Sequence, residues 1–177
     1  MPVNMKNIIA DTFMKMVRKK GIDKITVKVL IDECGISRQT FYYHFRDIMD
    51  VVEWLVKKFV DQMVERSLEI GTPENAVKVL ITSTVENRNL VRKMMNSHKR
   101  EEIERLFAQG VRTYLQKLIQ TRREKSPVNC SDMEIVLDFM AYGLCGVLFK
   151  CCESGHFDVE KITEQICYIL PGRIETL

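Results

Sequence analysis

The stretch from residue 26 to residue 46 constrains the fold of this chain most strongly, because its pattern predicts two short helices joined by a tight turn. Thr26 is a typical N-cap residue, and the apolar positions that follow it repeat at helical spacing. Gly35 supplies the left-handed conformation that ends a helix, and Ser37 is a good N-cap for the next one. That second helix carries two phenylalanines four residues apart, so both can face inward. The stretch therefore predicts a helix-turn-helix.

The outer face of the second helix carries side chains that can donate or accept hydrogen bonds, and few of them suit a protein core. A short helix with donors in its first turn is what reading the major groove of DNA requires. Gln39 can pair with adenine, and Arg38 can bind guanine or a phosphate. The other candidates would mostly hold phosphates, unless they are ordinary exposed polar residues. The candidate DNA-binding residues are Thr26, Lys28, Ser37, Arg38, Gln39, Thr40, Tyr42, Tyr43, His44 and Arg46.

Residues 5–55 resemble the N-terminal domain of the TetR family of bacterial regulators, whose pattern runs roughly T-V-x-x-I-A-x-x-A-G-V-S-x-x-T-x-Y-x-Y/H-F. The chain departs from this pattern at Ile31 and Cys34, where the family usually has alanine. Both are larger side chains at positions expected to be buried, so they affect the approach of the two helices and leave the DNA-reading face unchanged. The matching positions are Thr26, Val27, Gly35, Ser37, Thr40, Tyr42 and Phe45, with Leu30 and Ile36 as near equivalents.

The resemblance implies a helix-turn-helix DNA-binding domain at 1–46 and a helical regulatory and dimerisation domain at 47–177. It implies a homodimer on a palindromic operator, with an effector controlling affinity, and a repressor rather than an activator. Arg46 stands where the family commonly has a phosphate-binding lysine. The segment RQTFYYHF and the pair Glu53-Trp54 are most similar to the branch that regulates dihydroxyacetone kinase operons. For that branch, the alternative is an activator controlled by a partner protein that docks on the C-terminal domain.

The rest of the chain favours an all-α architecture of nine helices. Only eight glycines and four prolines punctuate it, and long alternating apolar and polar runs are missing. The net charge of +3 lies in the first 50 residues, where nine Lys and Arg face six Asp and Glu, which suits phosphate contact. The remaining predicted helices cover residues 5–20, 47–68, 73–86, 88–97, 99–123 and 132–152, with a last one between Asp158 and Pro171.

The helix predicted over 132–152 is apolar almost all round, so it must be buried on every side. In a chain this short, one side can face the protein's own core and the other a second subunit. The alternative is a fully buried helix in a monomer. Small residues would let a partner helix approach closely, and the last helix offers an apolar stripe beside them. The candidate dimer-interface residues are Ala141, Gly143, Cys145, Gly146, Ile162, Ile166 and Ile169.

By resemblance, the C-terminal domain should also enclose an effector. A lining rich in methionine and aromatic residues suits an apolar or planar ligand better than a highly charged one. The alternative for each residue is that it simply packs the core. The candidate ligand-binding residues are Trp54, Met94, Met95, His98, Phe107, Tyr114, Phe139, Met140 and Tyr142.

The six cysteines have no zinc-type spacing, and we interpret them as reduced cytosolic thiols that pack as small apolar residues. Cys151 and Cys152 also admit a thiol-sensor hypothesis, because adjacent thiols near a helix end can be reactive. No metal site, cofactor or catalytic set is predicted, so an all-α enzyme is the distant alternative. With no signal peptide, and with the longest uncharged apolar stretch at 139–149 too short to cross a bilayer, we expect a soluble cytoplasmic protein.

Overall fold

The computed structural model describes residues 4–122, 130–154 and 158–169. Within these ranges all of the regular secondary structure is helical. This confirms the predicted all-α fold class. The helices are α1 (Met5–Lys20), α2 (Val27–Cys34), α3 (Arg38–His44), α4 (Ile48–Ile70), α5 (Pro73–Glu86), α6 (Arg88–Met95), α7 (Arg100–Arg122), α8 (Cys130–Glu153) and α9 (Val159–Ile169), with a 3₁₀ turn at Ile22–Lys24 between α1 and α2.

Side-chain caps set several of the helix starts. The hydroxyls of Thr26 and Thr72 accept the amides three residues on, each at 3.2 Å, and open α2 and α5. The carboxylate of Asp158 accepts the Lys161 amide at 3.0 Å and opens α9. Helix α8 begins at Cys130, two residues before the start that the sequence predicts. The end predicted for the last helix, at Pro171, lies outside the described residues.

The chain forms two compact units, and the boundaries between them fall inside α4, after the first residue of α6 and inside α7. Unit 1 comprises Met1–Lys58 and Asn89–Phe107, and unit 2 comprises Phe59–Arg88 and Ala108–Leu177. The boundary between a DNA-binding domain at 1–46 and a regulatory domain at 47–177 is a division by function, and it remains a prediction.

Unit 1 is centred on α1, which buries Ile9, Phe13 and Val17 completely, together with Leu30 of α2 and Phe41 of α3. Ile9, Phe13 and Val17 recur every four residues, so they lie on one face of α1, and this face supports the back of the helix-turn-helix.

Unit 1 also contains a polar connection that joins the end of α1 to residues far along the chain. The Lys93 ammonium donates to the carbonyl of Arg18 at 2.6 Å, where it caps the end of α1. The Ser97 hydroxyl donates to the Asp23 carboxylate at 2.6 Å, and the His98 amide donates to the same carboxylate at 3.3 Å. The end of α6 and the residues after it are therefore held directly to the end of α1 and to the 3₁₀ turn that follows α1.

Unit 2 packs α5 against α8 and α9. Its most buried aromatic side chain is Tyr114 of α7, whose hydroxyl donates to the carbonyl of Ala76 in α5 at 2.7 Å. Ion pairs join neighbouring helices at the surface, from Lys78 to Glu160 at 2.8 Å and from Arg112 to Asp138 at 2.7 Å.

Helix α8 has a long apolar segment. From Met133 to Glu153 its mean hydropathy reaches 1.8, so by length and composition it could cross a membrane, although the shorter uncharged stretch indicated otherwise. Core helices of soluble proteins share this composition. Only a third of the segment is buried within the chain.

Candidate nucleic-acid interface

Helix α3 is held in place by a defined turn before it and by aromatic packing behind it. Gly35 adopts the left-handed conformation with φ 64° and ψ 32°, which ends α2. The Ser37 hydroxyl then accepts the Thr40 amide at 3.0 Å and starts α3. Phe41 and Phe45 are buried, with their ring centroids 6.1 Å apart. One face of α3 is therefore anchored, and the other is left at the surface.

The ten candidate DNA-binding residues all lie at the surface of unit 1. Eight are exposed, and only Thr40 and His44 are half-buried. Tyr42 is 57% exposed and Tyr43 is 84% exposed, so neither ring adds much to the core. Two adjacent exposed tyrosines on a reading helix can donate hydroxyl hydrogen bonds to a phosphate backbone.

Two of the candidate phosphate-binding hydroxyls already serve as helix caps. Thr26 Oγ1 accepts the Val29 amide at 3.2 Å, so its proton stays available to a phosphate oxygen. The hydroxyls of Ser37 and Thr40 lie 2.8 Å apart and one donates to the other. Together these two hydroxyls therefore retain one proton for a ligand.

Arg46, which follows α3, is already paired with a carboxylate. Its Nη2 lies 3.3 Å from Oδ1 of Asp50, and its backbone amide donates to Oδ2 of Asp50 at 2.8 Å. Partial burial alone would raise the pKa of Asp50, but the amide and guanidinium of Arg46 outweigh it and keep that pKa below its usual range. Sequence reasoning missed Asp50, although the Asp47-x-x-Asp50 spacing at a helix start is a signal that could have found it.

The nine candidate ligand-binding residues are divided between the two units. In unit 1, Trp54 packs edge-to-face on Phe45 at 6.2 Å, Met94 and Met95 are buried, Phe107 is half-buried and His98 is exposed. In unit 2, Tyr114 is buried, Met140 is half-buried, and Phe139 and Tyr142 are 76% and 63% exposed. The last two lie on a face of α8 that the rest of the chain leaves exposed.

A groove in unit 2 lies between the end of α4 and α5. Its volume is about 270 Å³, and Arg66, Glu69, Lys78 and Thr82 are among its lining residues. It includes none of the nine candidates. Within the described ranges, no three His, Cys, Asp or Glu side chains lie close enough together to hold a metal ion.

The candidate dimer-interface residues fall into two sets. One set is buried within the single chain and consists of Ala141, Cys145 and Ile166. Gly143 and Gly146 are exposed, Ile162 is half-buried, and Ile169 is 68% exposed. The exposed apolar residues of α8 that the sequence did not single out are Ile135, Val136 and Val147.

The cysteine pair of α8 is buried. Burial, reinforced by the neighbouring thiol, raises the pKa of Cys152 to about 11. Burial also raises the pKa of Cys151. Both observations favour the packing interpretation over the thiol sensor, since the reactive form is the thiolate.

A supported helix-turn-helix whose second helix exposes polar side chains, followed by further helices, is the arrangement found in DNA-binding transcription regulators. The family model described as bacterial regulatory proteins, tetR family, matches residues 9–53. A second model, the transcriptional regulator C-terminal region named TetR_C_8, matches residues 71–172. The chain belongs to the TetR family and is a transcriptional regulator, which confirms the family prediction. Regulators of this family bind DNA operators and are dimeric.

Individual relatives agree with this assignment. The HTH-type dhaKLM operon transcriptional activator DhaS of Lactococcus lactis subsp. lactis (strain IL1403) is 23% identical over 172 residues, which cover 96% of this chain and 90% of the relative. The structure of dihydroxyacetone kinase operon activator DhaS has a TM-score of 0.69 at 22% identity and covers 98% of this chain and 97% of its own. Lin0861 from Listeria innocua has a TM-score of 0.73 at 18% identity and covers 96% and 94%. These structural likenesses show the fold.

Proposed function

We propose that this chain binds a palindromic DNA operator as a homodimer, with α3 in the major groove and an effector of the C-terminal region controlling affinity. The observation that carries the proposal is the exposed polar face of α3 on a buried aromatic base. Gln39 reads an adenine from this face, and Arg38 reads a guanine or holds a phosphate. Lys28 and the exposed tyrosines hold the backbone and fix the register.

The exposed apolar stripe of α8 supports a homodimer. Ile135, Phe139, Tyr142 and Gly146 follow the spacing of one helical face, and the first three are 76%, 76% and 63% exposed. A second copy of this chain would cover the stripe, and the two-fold axis would present two reading helices to a palindrome. Half-sites would then lie about 34–36 Å apart or at a longer in-phase spacing.

Repression is the sign of regulation that the family resemblance implies, and activation is the second candidate. The Lactococcus relative, named as an activator, matches 96% of this chain, which favours activation here. In that version, a partner protein docking on the C-terminal region takes the place of the small effector. Both versions place the protein in the cytoplasm, where operator DNA lies.

A DNA-binding measurement tests the proposal. Duplexes selected from a random pool, and DNA upstream of the protein's own gene, are compared with scrambled duplexes near physiological salt. We expect a preference of roughly a thousandfold or more with two subunits per site. Gln39→Ala should change base preference and Lys28→Gln should weaken all sequences alike, whereas Lys57→Gln, at an exposed position on α4, serves as the control. Equal binding of wild type, Gln39→Ala and Lys28→Gln to every duplex would contradict the proposed surface.

The dimer and the sign of regulation need separate experiments. Phe139→Asp should halve the mass measured by sedimentation, from twice 20.7 kDa to that of one chain, while Leu68→Asp on α4 should not. A dimer that persists in Phe139→Asp would rule out this stripe. A reporter gene under the selected operator, in cells without the regulator gene, shows the sign of regulation as a rise or a fall when the regulator is supplied.

A further inference from the structure

Arg46 offers its charge to DNA beside two carboxylates of its own chain. Its Nη2 lies 3.3 Å from Asp50 Oδ1 and 3.9 Å from Glu53 Oε2, and its Nε lies 3.4 Å from Asp50 Oδ2. The Arg46 side chain is 79% exposed, whereas that of Asp50 is 23% exposed. The guanidinium is therefore open to a phosphate, and Asp50 is held behind it.

The position of Asp50 is fixed by the backbone. Asp50 Oδ2 accepts the Arg46 amide at 2.8 Å, and the Asp50 amide in turn donates to Asp47 Oδ1 at 2.9 Å. These bonds tie the segment after α3 to the first turn of α4. Because the carboxylate is part of this junction, it stays beside Arg46 when the guanidinium turns toward DNA.

We propose that Asp50, assisted by Glu53, lowers the affinity of the α3 surface for DNA of any sequence. It does so by competing with backbone phosphates for the Arg46 guanidinium. It is a positioning residue, because it acts through Arg46 and does not itself contact the DNA. The inference rests on the proposed function, since it requires Arg46 to contact DNA. Phosphate contacts do not read bases, so the restraint acts equally on operator and scrambled duplexes.

Anisotropy titrations of the purified full chain with labelled operator and scrambled duplexes, between roughly 50 and 200 mM salt, test the inference. Asp50→Asn removes the charge and retains an oxygen that accepts the Arg46 amide. We expect it to tighten binding to both duplexes by about two- to fivefold, as for loss of one exposed ion pair. The salt dependence should steepen by up to about 0.9 in log–log slope. Glu53→Gln, at a 60% exposed side chain, should act in the same direction and less strongly.

Two further variants separate competition for Arg46 from a change of net charge. In an Arg46→Gln background, most of the gain from Asp50→Asn should disappear. Asp11→Asn is the matched control, because it also removes a paired carboxylate from unit 1, where Lys58 lies 3.8 Å from Asp11. It should leave binding to both duplexes unchanged.

The outcomes are decisive in both directions. Unchanged or weaker binding by Asp50→Asn and Glu53→Gln, with wild-type helix content, would overturn the inference and leave the proposed function intact. The inference would also be overturned if Asp50→Asn tightened binding equally in the Arg46→Gln background. A gain of the same size from Asp11→Asn would overturn it too. If Arg46→Gln and Gln39→Ala both bind like wild type, the proposed function itself fails, and the inference fails with it.

Discussion

Removing the buried hydroxyl of Tyr114 should destabilise unit 2 measurably. The ring is 1% exposed, and its hydroxyl lies 2.7 Å from the Ala76 carbonyl and 2.6 Å from the Ser67 hydroxyl. Ser67 Oγ also donates to the Met63 carbonyl at 2.7 Å. Two hydroxyl protons thus serve three short contacts, so Tyr114 and Ser67 act as one polar network in an apolar surrounding.

The magnitude follows from what the Tyr114→Phe substitution leaves behind. Ser67 keeps the Met63 carbonyl as an acceptor, and the carbonyl of Ala76 remains inside α5, so neither group loses every partner. The loss is therefore that of one to two neutral buried hydrogen bonds, about 1–2 kcal/mol in the free energy of unfolding. For a chain of this length, this corresponds to a fall in melting temperature of roughly 2–8 °C.

Urea and thermal unfolding, followed by circular dichroism, measure the effect. All variants are compared at one protein concentration, because the proposed dimer would make stability depend on concentration. Tyr43→Phe removes the same atom from a ring that is 84% exposed and should change the free energy of unfolding by less than about 0.5 kcal/mol. Ser67→Ala combined with Tyr114→Phe should cost less than the sum of the two single changes. Wild-type stability of Tyr114→Phe, or strict additivity of the pair, would refute the reasoning.

Three further predictions concern single residues of the described helices. Gly35→Ala should lower the free energy of unfolding by about 1 kcal/mol, because φ there is 64° although the space for a Cβ is open; an unchanged urea midpoint would contradict this. The Ser97 hydroxyl lowers the pKa of Asp23 below its unfolded value, so this stabilisation is present above the unfolded pKa and is lost as pH falls through the folded one. Ser97→Ala should therefore destabilise the protein at neutral pH and reduce its loss of stability in acid, measured as unfolding free energies across that range. Cys151 and Cys152 should resist iodoacetamide in the folded protein at about pH 8 and react in urea, since burial raises both pKa values; rapid labelling, or loss of DNA binding after mild peroxide, would support the sensor instead.

The helix-turn-helix could be predicted from the sequence because the interactions that define it are local. The Thr26 and Ser37 caps reach amides three residues away, and Gly35 adopts its turn from its own conformational freedom. The bounds of α1 were likewise predictable, from an apolar stripe that ends at Gly21. Local signals of this kind also separated α5 from α6 at Asn87.

The tertiary structure decided which candidate side chains lie together. The sequence indicated that α8 is apolar almost all round, but only the tertiary structure showed that Ala141 and Cys145 are covered while Phe139 and Tyr142 are exposed. Tyr114 resembled a ligand-lining residue, yet its hydroxyl partner Ser67 lies 47 residues away in the chain.

Contacts at long sequence separation have no periodicity or capping signal, because the order of the helices in the chain does not specify which of their faces meet. Asp23 and Ser97 are 74 residues apart, and their hydrogen bond exists only because the residues after α6 pack on the end of α1. The sequence alone determined α3 and the polar side chains that it exposes. Packing determined what supports that helix and which apolar side chains remain exposed, because it depends on contacts between residues that are far apart in the chain.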